Sequence, residues 1–419
     1  ETEDLKTFYP TSVLETGYDI LFFWVARMIM QGLEMTGDIP FDTVYLHGLI
    51  RNESGTKISK SLPDAEKYDP LYIIEEYGTD ALRFTLLTGS TPGNDMRLSL
   101  KRIEANRNFA NKIWNAARFV VNSLGETTPA SGETWNLAAR TLADRWIVSR
   151  HNRLIENVTR LMEDYQFGEA GRQIYDFLWG EYCDWFIEMA KIRLYGDNPR
   201  AKATAQQVLI YVLERTLRLL HPFMPFVTEE IWQHLPTDGD ALMPDALMVA
   251  PWPEAGTLDD EAEAEMNPIM ETIRAIRNAR AEYEVEPGRH IAATIAAGSH
   301  HNTFASQQEI VARLARIDPA RMIIAEALSD KPEKSVALVL GDVEVYLPLA
   351  GMVDLDAERE RLNKELVGVE GQMARTAGLL ANPNFTGKAP VQVVERERDK
   401  LTSLEEQAAR LRERLESLK

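Results

Sequence analysis

The side chains best suited to polyphosphate chemistry lie in the five-residue run Lys57-Ile58-Ser59-Lys60-Ser61. Lys57 and Lys60 offer ammonium groups three residues apart, and Ser59 and Ser61 add hydroxyl donors. Such donors bind phosphate oxygens and stabilise the charge that builds on them during a displacement. On spacing alone, a solvent-exposed Lys/Ser loop explains such a run more often, so the surrounding elements decide its interpretation.

The elements around this run predict that it lies on a loop after a strand. Residues 44–50 are apolar and partly β-branched, which is typical of a short buried strand. Residues 52–55, Asn-Glu-Ser-Gly, form a turn cluster directly after it. Residues 63–100 predict short helices, with Gly78-Thr79-Asp80 ending one helix and beginning the next.

The rest of the chain divides by its hydrophobic period. Between residues 101 and 235, apolar side chains recur every three or four positions, which predicts a helical bundle that Pro222 and Pro225 should interrupt. Residues 256–350 combine a helix-like segment near residues 267–281 with strand-like segments at residues 291–295, 335–340 and 343–347, the last two joined by a hairpin turn at Gly341-Asp342. The last part carries a leucine heptad seam and a proline-bearing break at residues 382–390. Two helices of about 27 and 30 residues should therefore fold back as an antiparallel coiled-coil hairpin.

The charge is unevenly distributed along the chain. A net charge of −19 argues, at face value, against a nucleic-acid partner. However, residues 97–122 hold six Lys/Arg and one Glu, and residues 140–160 hold five Arg and two acids. Residues 254–265 hold six acids and no base. A basic stripe of this kind is either a phosphate-binding face or an ordinary solvated helix face.

Composition excludes several other classes of protein. No apolar run approaches the roughly 18–20 residues that cross a bilayer, and no secretory signal is evident, so we expect a cytoplasmic protein. The single cysteine, Cys183, excludes a disulfide framework and a multi-cysteine zinc site. Its aromatic neighbours indicate a buried apolar thiol.

The run at residues 57–61 resembles the KMSKS signature of class I aminoacyl-tRNA synthetases, with Ile58 in place of Met. It follows Leu46-His47-Gly48-Leu49-Ile50-Arg51, as the signature does in that family. Residues 16–28, 107–115 and 221–232 resemble the valine-specific members, as does the Asn-Pro-Asn-Phe turn at residues 382–385. The resemblance covers essentially the whole chain. An isoleucine- or leucine-type synthetase is the alternative within the class.

The resemblance implies a multidomain architecture, α/β in part and otherwise mainly α. Residues 1–62 would be the C-terminal half of a Rossmann-like nucleotide-binding domain, and residues 63–100 a helical stem-contact linker. Residues 101–255 would form the anticodon-binding helical bundle. Residues 256–350 would form a small α/β junction domain, and residues 351–419 a coiled-coil arm that binds tRNA.

The resemblance also implies roles for individual residues. Lys60, assisted by Lys57 and Ser59, would bind the ATP phosphates and stabilise the transition state of adenylate formation. The adenosine and the amino-acid end would be contacted by Gly17, Asp19, His47 and Gly48. The amino-acid side chain would lie against Trp24 and Ile20. The candidate tRNA-binding residues share a positive charge and are Arg107, Lys112, Arg118, Arg145, Arg150 and Lys388. Trp146 and His151 lie near Arg150 in the sequence and would offer rings for stacking RNA bases beside it.

The implied reaction is the two-step charging of tRNA with valine through valyl-adenylate, with ATP and Mg²⁺ as substrate and no zinc. Two features depart from the family. Leu62-Pro63-Asp64 replaces the usual Gly-Asn, and the His-x-Gly-His signature occurs nowhere in the sequence. The chain begins at Glu1 and corresponds to a C-terminal half, so we expect no valine activation by this chain alone.

Two hypotheses of another class stay open beside the synthetase. One is a non-catalytic tRNA-binding module, which would bind tRNA with a steep salt dependence and would not bind ATP. The other is a coiled-coil scaffold, which only the C-terminal heptads support. The resemblance implies a monomer that does not associate with membranes.

Overall fold

A computed structural model describes residues 2–59, 62, 65–125, 140–236, 244–349, 355–382, 385 and 391–417. Two of the residues predicted to bind ligands, Lys60 and Lys388, lie outside the described residues. The chain divides into two compact units, residues Glu1–Glu263 and Ala264–Lys419. Among the described helices, none is both long and apolar enough to cross a membrane.

Two short parallel sheets open the first unit. After helix α1 (Glu3–Phe8), strand β1 (Thr11–Gly17) pairs in parallel with β2 (Phe41–His47). Parallel neighbours require a crossover connection, and helix α2 (Ala26–Thr36) provides it. Strands β3 (Ile50–Arg51) and β4 (Met96–Arg97) form the second parallel pair. The single strand predicted at residues 44–50 is therefore divided, because β2 ends at His47 and β3 begins at Ile50.

The connection from β1 to α2 is irregular and carries several candidate site residues. A 3₁₀ turn (Tyr18–Ile20) and a π-helical turn (Leu21–Val25) lead into α2. Gly37 ends α2 with a φ of +79°, a left-handed conformation that glycine adopts without steric cost. Val25 is buried, whereas most side chains of this connection are exposed.

Helices α3 (Pro70–Tyr77) and α4 (Thr79–Gly89) follow, with Gly78 between them. The Asp69 side chain caps α3 by accepting a hydrogen bond from the Leu71 amide at 2.8 Å. The helix end and restart predicted near residue 78 are thus confirmed. A small core joins these helices to β4 and the next helix, and its buried members are Ile73, Ala81, Leu82, Met96, Leu98 and Ile103.

A helical bundle completes the first unit, as the period predicted. Its helices are α5 (Leu100–Leu124), α6 (Leu142–Glu163), α7 (Phe167–Asp176), a π-helical segment (Phe177–Phe186), α8 (Ile187–Leu194), α9 (Pro199–Leu220) and α10 (Pro225–Trp232). Phe109, Ile113 and Ala117 recur every four residues on α5 and are buried in the core. Helix α9 ends before Pro222 and α10 begins at Pro225, so the proline interruption is also confirmed.

The second unit contains a four-stranded mixed sheet. After helix α11 (Asp260–Glu282), the strands β5 (Ile291–Ala296), β6 (Ile317–Ala325), β7 (Ser335–Leu340) and β8 (Val343–Pro348) pair in the order β6-β5-β8-β7. Helices α12 (His301–Ser306) and α13 (Gln308–Ala315) connect β5 to β6. The predicted β7–β8 hairpin is confirmed, with Gly341 at a φ of +59° in its turn. Strand β6 and the two connecting helices had no counterpart in the sequence prediction.

Two long helices end the chain. The first tail helix (Leu355–Ala381) and the second tail helix (Val391–Ser417) contact each other. Their buried side chains follow the heptad seam and include Leu362, Val369, Leu404, Ala408 and Leu411. Arg412 and Glu370 form an ion pair of 2.5 Å between the two helices.

Candidate functional site

The turn that precedes the lysine-serine run is held by its own backbone and by Asn52. The Asn52 amide donates to the Thr56 carbonyl at 3.0 Å, and the Thr56 amide donates to Asn52 Oδ1 at 2.7 Å. Gly55 occupies the turn with a φ of +86°. This turn brings Lys57 back beside Arg51 in an antiparallel bridge. The predicted turn is therefore confirmed, and both Lys57 and Ser59, which follow it, are exposed.

The carboxyl ends of β1 and β2 bring three further candidates together. Gly17 and His47 are direct partners in the register of the two strands. A Cβ atom on Gly17 would lie 2.7 Å from Asp19 Oδ1 and 3.6 Å from His47 Cε1. Ligands of open α/β sheets bind at the carboxyl ends of the strands. The geometry therefore places Gly17, Asp19 and His47 where a nucleotide or an amino acid could bind.

Gly48 has a packing reason of its own. A Cβ atom there would lie 1.6 Å from the carbonyl oxygen of Asn94, so only glycine fits this contact. The break between β2 and β3 occurs where the backbone of residues 94–95 crosses against Gly48. Close backbone packing thus accounts for this glycine with or without a ligand nearby.

Trp24 and Ile20 lie on the irregular connection between β1 and α2. The Trp24 ring lies 5.6 Å from the Arg27 guanidinium, and its side chain is 48% exposed. Ile20 is half-buried. Neighbouring Phe22 and Phe23 are also exposed, so the connection presents a strongly apolar surface.

Three of the predicted tRNA-binding residues lie on α5. Arg107 pairs with Glu104 at 3.3 Å, and its guanidinium lies over the Tyr77 ring. Lys112 Nζ lies 2.6 Å from Asp184 Oδ1 and 3.8 Å from the centre of the Trp179 ring. Arg118 is exposed on the same helix and lines a cavity.

That cavity lies between α5 and α10 and has a volume of about 180 Å³. Its walls combine an aromatic ring, an arginine and apolar side chains, namely Trp114, Ala117, Arg118, Val121, Asn122, Ile231 and His234. The Trp114 and His234 rings meet edge to face with their centres 6.1 Å apart. An aromatic wall beside a guanidinium is the combination that binds an unstacked nucleobase and its phosphate.

Arg145 and Arg150 belong to an ion-pair network within the first unit. Arg145 Nε lies 2.7 Å from Asp259, and Arg150 lies 2.7 Å from Glu181 and 3.3 Å from Glu263. Hydrogen bonding to Glu181 and the other carboxylates raises the pKa of Arg150, although burial opposes it. The basic stretch at residues 140–160 is therefore largely neutralised by the acidic stretch that follows residue 254.

Two aromatic residues expected near the RNA face are instead in the core. Trp146 is 2% exposed and His151 is fully buried, so neither ring can stack on a base. The expectation that they lie beside Arg150 on an RNA-binding face was wrong. The physical reason is the helical period of α6, which turns these two positions inward and Arg150 outward.

A metal-binding cluster is not found in the part of the chain that the structure describes. There, no group of three or more His, Cys, Asp or Glu side chains is arranged to hold a metal ion. Cys183 is largely buried, and burial raises the pKa of its thiol to about 12. It therefore stays protonated and is a poor metal ligand.

Three family models match this chain in sequence. Residues 1–99 match "tRNA synthetases class I (I, L, M and V)", residues 144–295 match "Anticodon-binding domain of tRNA ligase", and residues 354–419 match "Valyl tRNA synthetase tRNA binding arm". The match over residues 1–99 contains the turn, the strand ends and the irregular connection described above. The match over residues 144–295 covers much of the helical bundle.

Curated relatives match along almost the full chain. A valine–tRNA ligase of Dehalococcoides mccartyi (strain CBDB1) is 46% identical over 415 residues, which are 98% of this chain and 46% of that protein. A valine–tRNA ligase of Geobacillus stearothermophilus is 45% identical over 425 residues, covering 100% of this chain and 47% of that protein. The chain thus spans about half the length of the curated relatives it matches.

Among solved structures, Mycobacterium tuberculosis methionyl-tRNA synthetase bound by methionyl-adenylate has a TM-score of 0.46 at 22% identity, over 55% of this chain and 45% of that chain. The family models define a class I aminoacyl-tRNA synthetase. With the tRNA-binding arm model and relatives 45–46% identical, the chain belongs to the valine–tRNA ligase family.

Proposed function

We propose that this chain serves the ATP-dependent charging of tRNA with valine through valyl-adenylate. The observation that carries the proposal is the match to valine–tRNA ligases over 98–100% of this chain. In this chain the lysine-serine run follows β3. The structure supports it by grouping Gly17, Asp19 and His47 at the strand ends. The match of residues 354–419 to the valyl tRNA synthetase arm favours valine over the isoleucine- and leucine-type alternatives.

The ATP-binding part of the proposal follows the residues of the first unit. Lys57, Ser59 and Lys60 bind the polyphosphate and stabilise its developing negative charge. The adenosine and the aminoacyl group are contacted by Gly17, Asp19, His47 and Gly48. Trp24 and Ile20 contact the valine side chain. Mg²⁺ enters as part of the nucleotide substrate, because it binds the oxygens of substrate phosphates.

The tRNA-binding part of the proposal centres on the cavity between α5 and α10. An unpaired base of the anticodon loop stacks on Trp114, and Arg118 binds the adjacent phosphate. Further phosphate contacts are proposed for Arg107, Lys112, Arg145, Arg150 and Lys388. The two tail helices form an antiparallel coiled-coil arm along the tRNA. The protein acts as a monomer in the cytoplasm. Its domains comprise residues 1–62, 63–100, 101–255, 256–350 and 351–419.

One observation favours a second candidate function, tRNA binding without catalysis. The His-x-Gly-His signature that faces the phosphates in class I synthetases does not occur in this sequence. A chain with the lysine-serine run and without those histidines lacks the groups that would face Lys60 across the phosphates. We therefore propose that this chain alone binds tRNA and does not activate valine.

Binding of valine tRNA and a non-cognate tRNA at two salt concentrations, together with a valine-dependent ATP–pyrophosphate exchange assay, tests both candidates. Preferential binding of valine tRNA, weakening as salt rises, is expected without exchange. Trp114→Ala and Arg118→Ala should each weaken binding about tenfold, because a stacked base or a phosphate contact is lost. Arg160→Ala is the matched control, since Arg160 is an exposed arginine of the same bundle, away from the cavity. Equal affinity for both tRNAs would contradict the proposal.

A further inference from the structure

The segment at residues 91–98 lies along the candidate ATP-binding strands and has no assigned role. The Gly93 amide donates to the Leu46 carbonyl at 2.7 Å, and the Met96 amide donates to the Leu49 carbonyl at 2.9 Å. The Leu98 amide donates to the Arg51 carbonyl at 2.8 Å. The segment therefore follows the chain from the end of β2 through β3, up to the turn that presents Lys57.

One side chain of this segment, Asp95, reaches across to the strands. Asp95 Oδ1 accepts a hydrogen bond from the Leu49 amide at 2.9 Å, and Asp95 Oδ2 accepts one from Arg51 Nε. These bonds lower the pKa of the carboxyl, the Leu49 amide having the largest effect and hydrogen bonding to Tyr18 adding to it. The carboxylate is therefore ionised at neutral pH and serves as a common acceptor for three residues, Tyr18, Leu49 and Arg51, on two segments of the chain.

Arg51 carries the connection onward into the turn. Its Nη1 donates to the Gly55 carbonyl at 3.4 Å, and its backbone forms the bridge with Lys57. Arg51 is thus held at one end by Asp95 and supports the turn at the other. Without Asp95, the guanidinium would lose the partner that fixes its orientation.

We propose that Asp95 is a positioning residue that orients Lys57 and Ser59 for ATP through Arg51 and the turn at residues 52–56. The proposal rests on the proposed function for the identity of the ligand. Its structural part, that Asp95 orders the turn, stands without it.

The attachments of Asp95 distinguish positioning from a general contribution to folding. Each attachment adjoins a candidate ATP-binding residue: Tyr18 lies between Gly17 and Asp19, Leu49 follows Gly48, and Arg51 bridges to Lys57. The side chains of Arg51 and Asp95 are 31% and 23% exposed, and ion pairs this accessible to water add little to global stability. The local ordering of the turn is therefore the main effect of the pair.

Hydrogen exchange on the chain itself gives the first test. Asp95→Asn keeps an acceptor oxygen for the Leu49 amide but removes the charge that holds Arg51. We expect the amides of Gly55 and Thr56 to exchange about tenfold faster in this variant, while the amides of β1 and β2 keep their rates. Arg51→Met should produce the same local change, and the double variant should add nothing to it.

The control for charge removal is Asp164→Asn, because Asp164 pairs with Arg160 on an exposed helix surface at 3.6 Å. Asp164→Asn should leave the exchange rates of the Gly55 and Thr56 amides unchanged. Unchanged exchange of Gly55 and Thr56 in Asp95→Asn would overturn the proposal. A uniform acceleration across β1, β2 and the turn would also overturn it, since that result shows a general loss of stability.

The second test measures kinetics in a full-length valine–tRNA ligase that contains this chain. Asp95→Asn should raise KM for ATP and lower the pyrophosphate-exchange rate about tenfold each, with KM for valine unchanged, and Asp95→Glu should recover part of the loss. Equal increases in KM for ATP and KM for valine would contradict the proposal that Asp95 positions the residues that bind the ATP phosphates. If the unaltered synthetase shows no exchange while the turn effect is present, the proposed function fails and the ordering role of Asp95 stands.

Discussion

His151 lies fully buried in the bundle, and neither of its ring nitrogens has a hydrogen-bond partner among the described residues. Burial, with a smaller effect from Arg215, lowers the pKa of His151 from 6.5 to about 3. Below pH 6.5 the unfolded chain therefore takes up a proton that the folded chain refuses. The stability linked to this histidine is fully present above pH 6.5 and is lost as the pH falls toward 3.

His151→Leu should remove that pH dependence. At pH 7.5 we expect the variant to match or exceed the parent in stability by up to about 2 kcal/mol, because two unpaired buried nitrogens are removed. Below pH 6.5 its advantage should grow by about 1.4 kcal/mol per pH unit. Urea unfolding at pH 7.5 and pH 5.5 measures both quantities. His290→Gln, at an exposed position, is the control. An advantage that stays constant with pH would contradict the lowered pKa.

Gly48→Ala tests whether this glycine is required by packing. The added methyl group would overlap the Asn94 carbonyl oxygen, so the segment at residues 91–98 must move. We expect a loss of about 2–4 kcal/mol in unfolding free energy, or local separation of the segment from the strands, with no ATP present. Gly180→Ala is the matched control, because a Cβ atom there meets nothing within 4 Å. A fully stable Gly48→Ala chain would leave ligand contact as the better explanation of this glycine.

At the residue scale, the sequence was sufficient to predict the turn at residues 52–56. It was insufficient to predict which partners the charged side chains bind. Asn52 and Gly55 specify a local turn, so its prediction needed no distant partner. The pairs of Arg145 with Asp259 and Arg150 with Glu263 join residues more than 100 positions apart. The sequence indicated either a phosphate-binding face or a solvated face, and neither interpretation included these pairs with carboxylates of the same chain. Only the tertiary fold brings the two oppositely charged stretches together.

At the element scale, Asp80 of α4 caps a helix that is distant in sequence. Its carboxylate accepts hydrogen bonds from the amides of Phe226 and Val227 at 3.2 and 2.7 Å, at the start of α10. Burial raises the pKa of Asp80, and the two amide bonds partly oppose that effect. This contact attaches helix α4 to helix α10 of the bundle. Helix α10 also contributes Ile231 to the wall of the α5–α10 cavity.

Asp80→Ala should destabilise the first unit by about 1–2 kcal/mol, because two amides at the start of α10 lose their acceptor. Asp80→Asn keeps one acceptor oxygen and should cost less. Thermal unfolding of the whole chain gives the comparison. Asp69→Ala provides a matched cap removal on exposed α3, where water can replace the lost bond. Equal losses for Asp80→Ala and Asp80→Asn would show that the accepted hydrogen bonds are not the source of the effect.

Among the strands of the second unit, those with alternating apolar side chains were predicted from the sequence, and the strand without that alternation was missed. Strands β7 and β8 are joined by a two-residue turn, and the predicted ends of both strands agree with the observed ends to within one residue. Strand β6 contains Pro319 and exposes several of its side chains, as edge strands commonly do. Its sequence therefore lacks the apolar alternation by which a strand is recognised. The division of β2 from β3 was missed for another reason, since it depends on the Gly48–Asn94 contact with a later segment.

At the scale of the whole molecule, a net charge of −19 is compatible with tRNA binding because the charges are segregated. The terminal segment at residues 354–419 holds 12 Lys/Arg and 13 acids, a balance of −1 against −18 for the rest of the chain. Several of the remaining acids pair with arginines inside the first unit, as Asp259 and Glu263 show. Because the excess of negative charge lies outside residues 354–419, the long-range repulsion of RNA is weakest at the tail.

Removal of residues 351–419 should separate the contribution of the tail to affinity from its contribution to selectivity. The shortened chain should bind valine tRNA about tenfold more weakly at low salt, and its affinity should fall less steeply with salt, because fewer phosphate contacts release counterions. Its preference for valine tRNA over a non-cognate tRNA should persist, since the α5–α10 cavity is retained. Titrations at several salt concentrations, with circular dichroism to confirm that the rest stays folded, measure these effects. A lost preference with an unchanged salt slope would show that the tail reads tRNA identity and the bundle supplies general affinity.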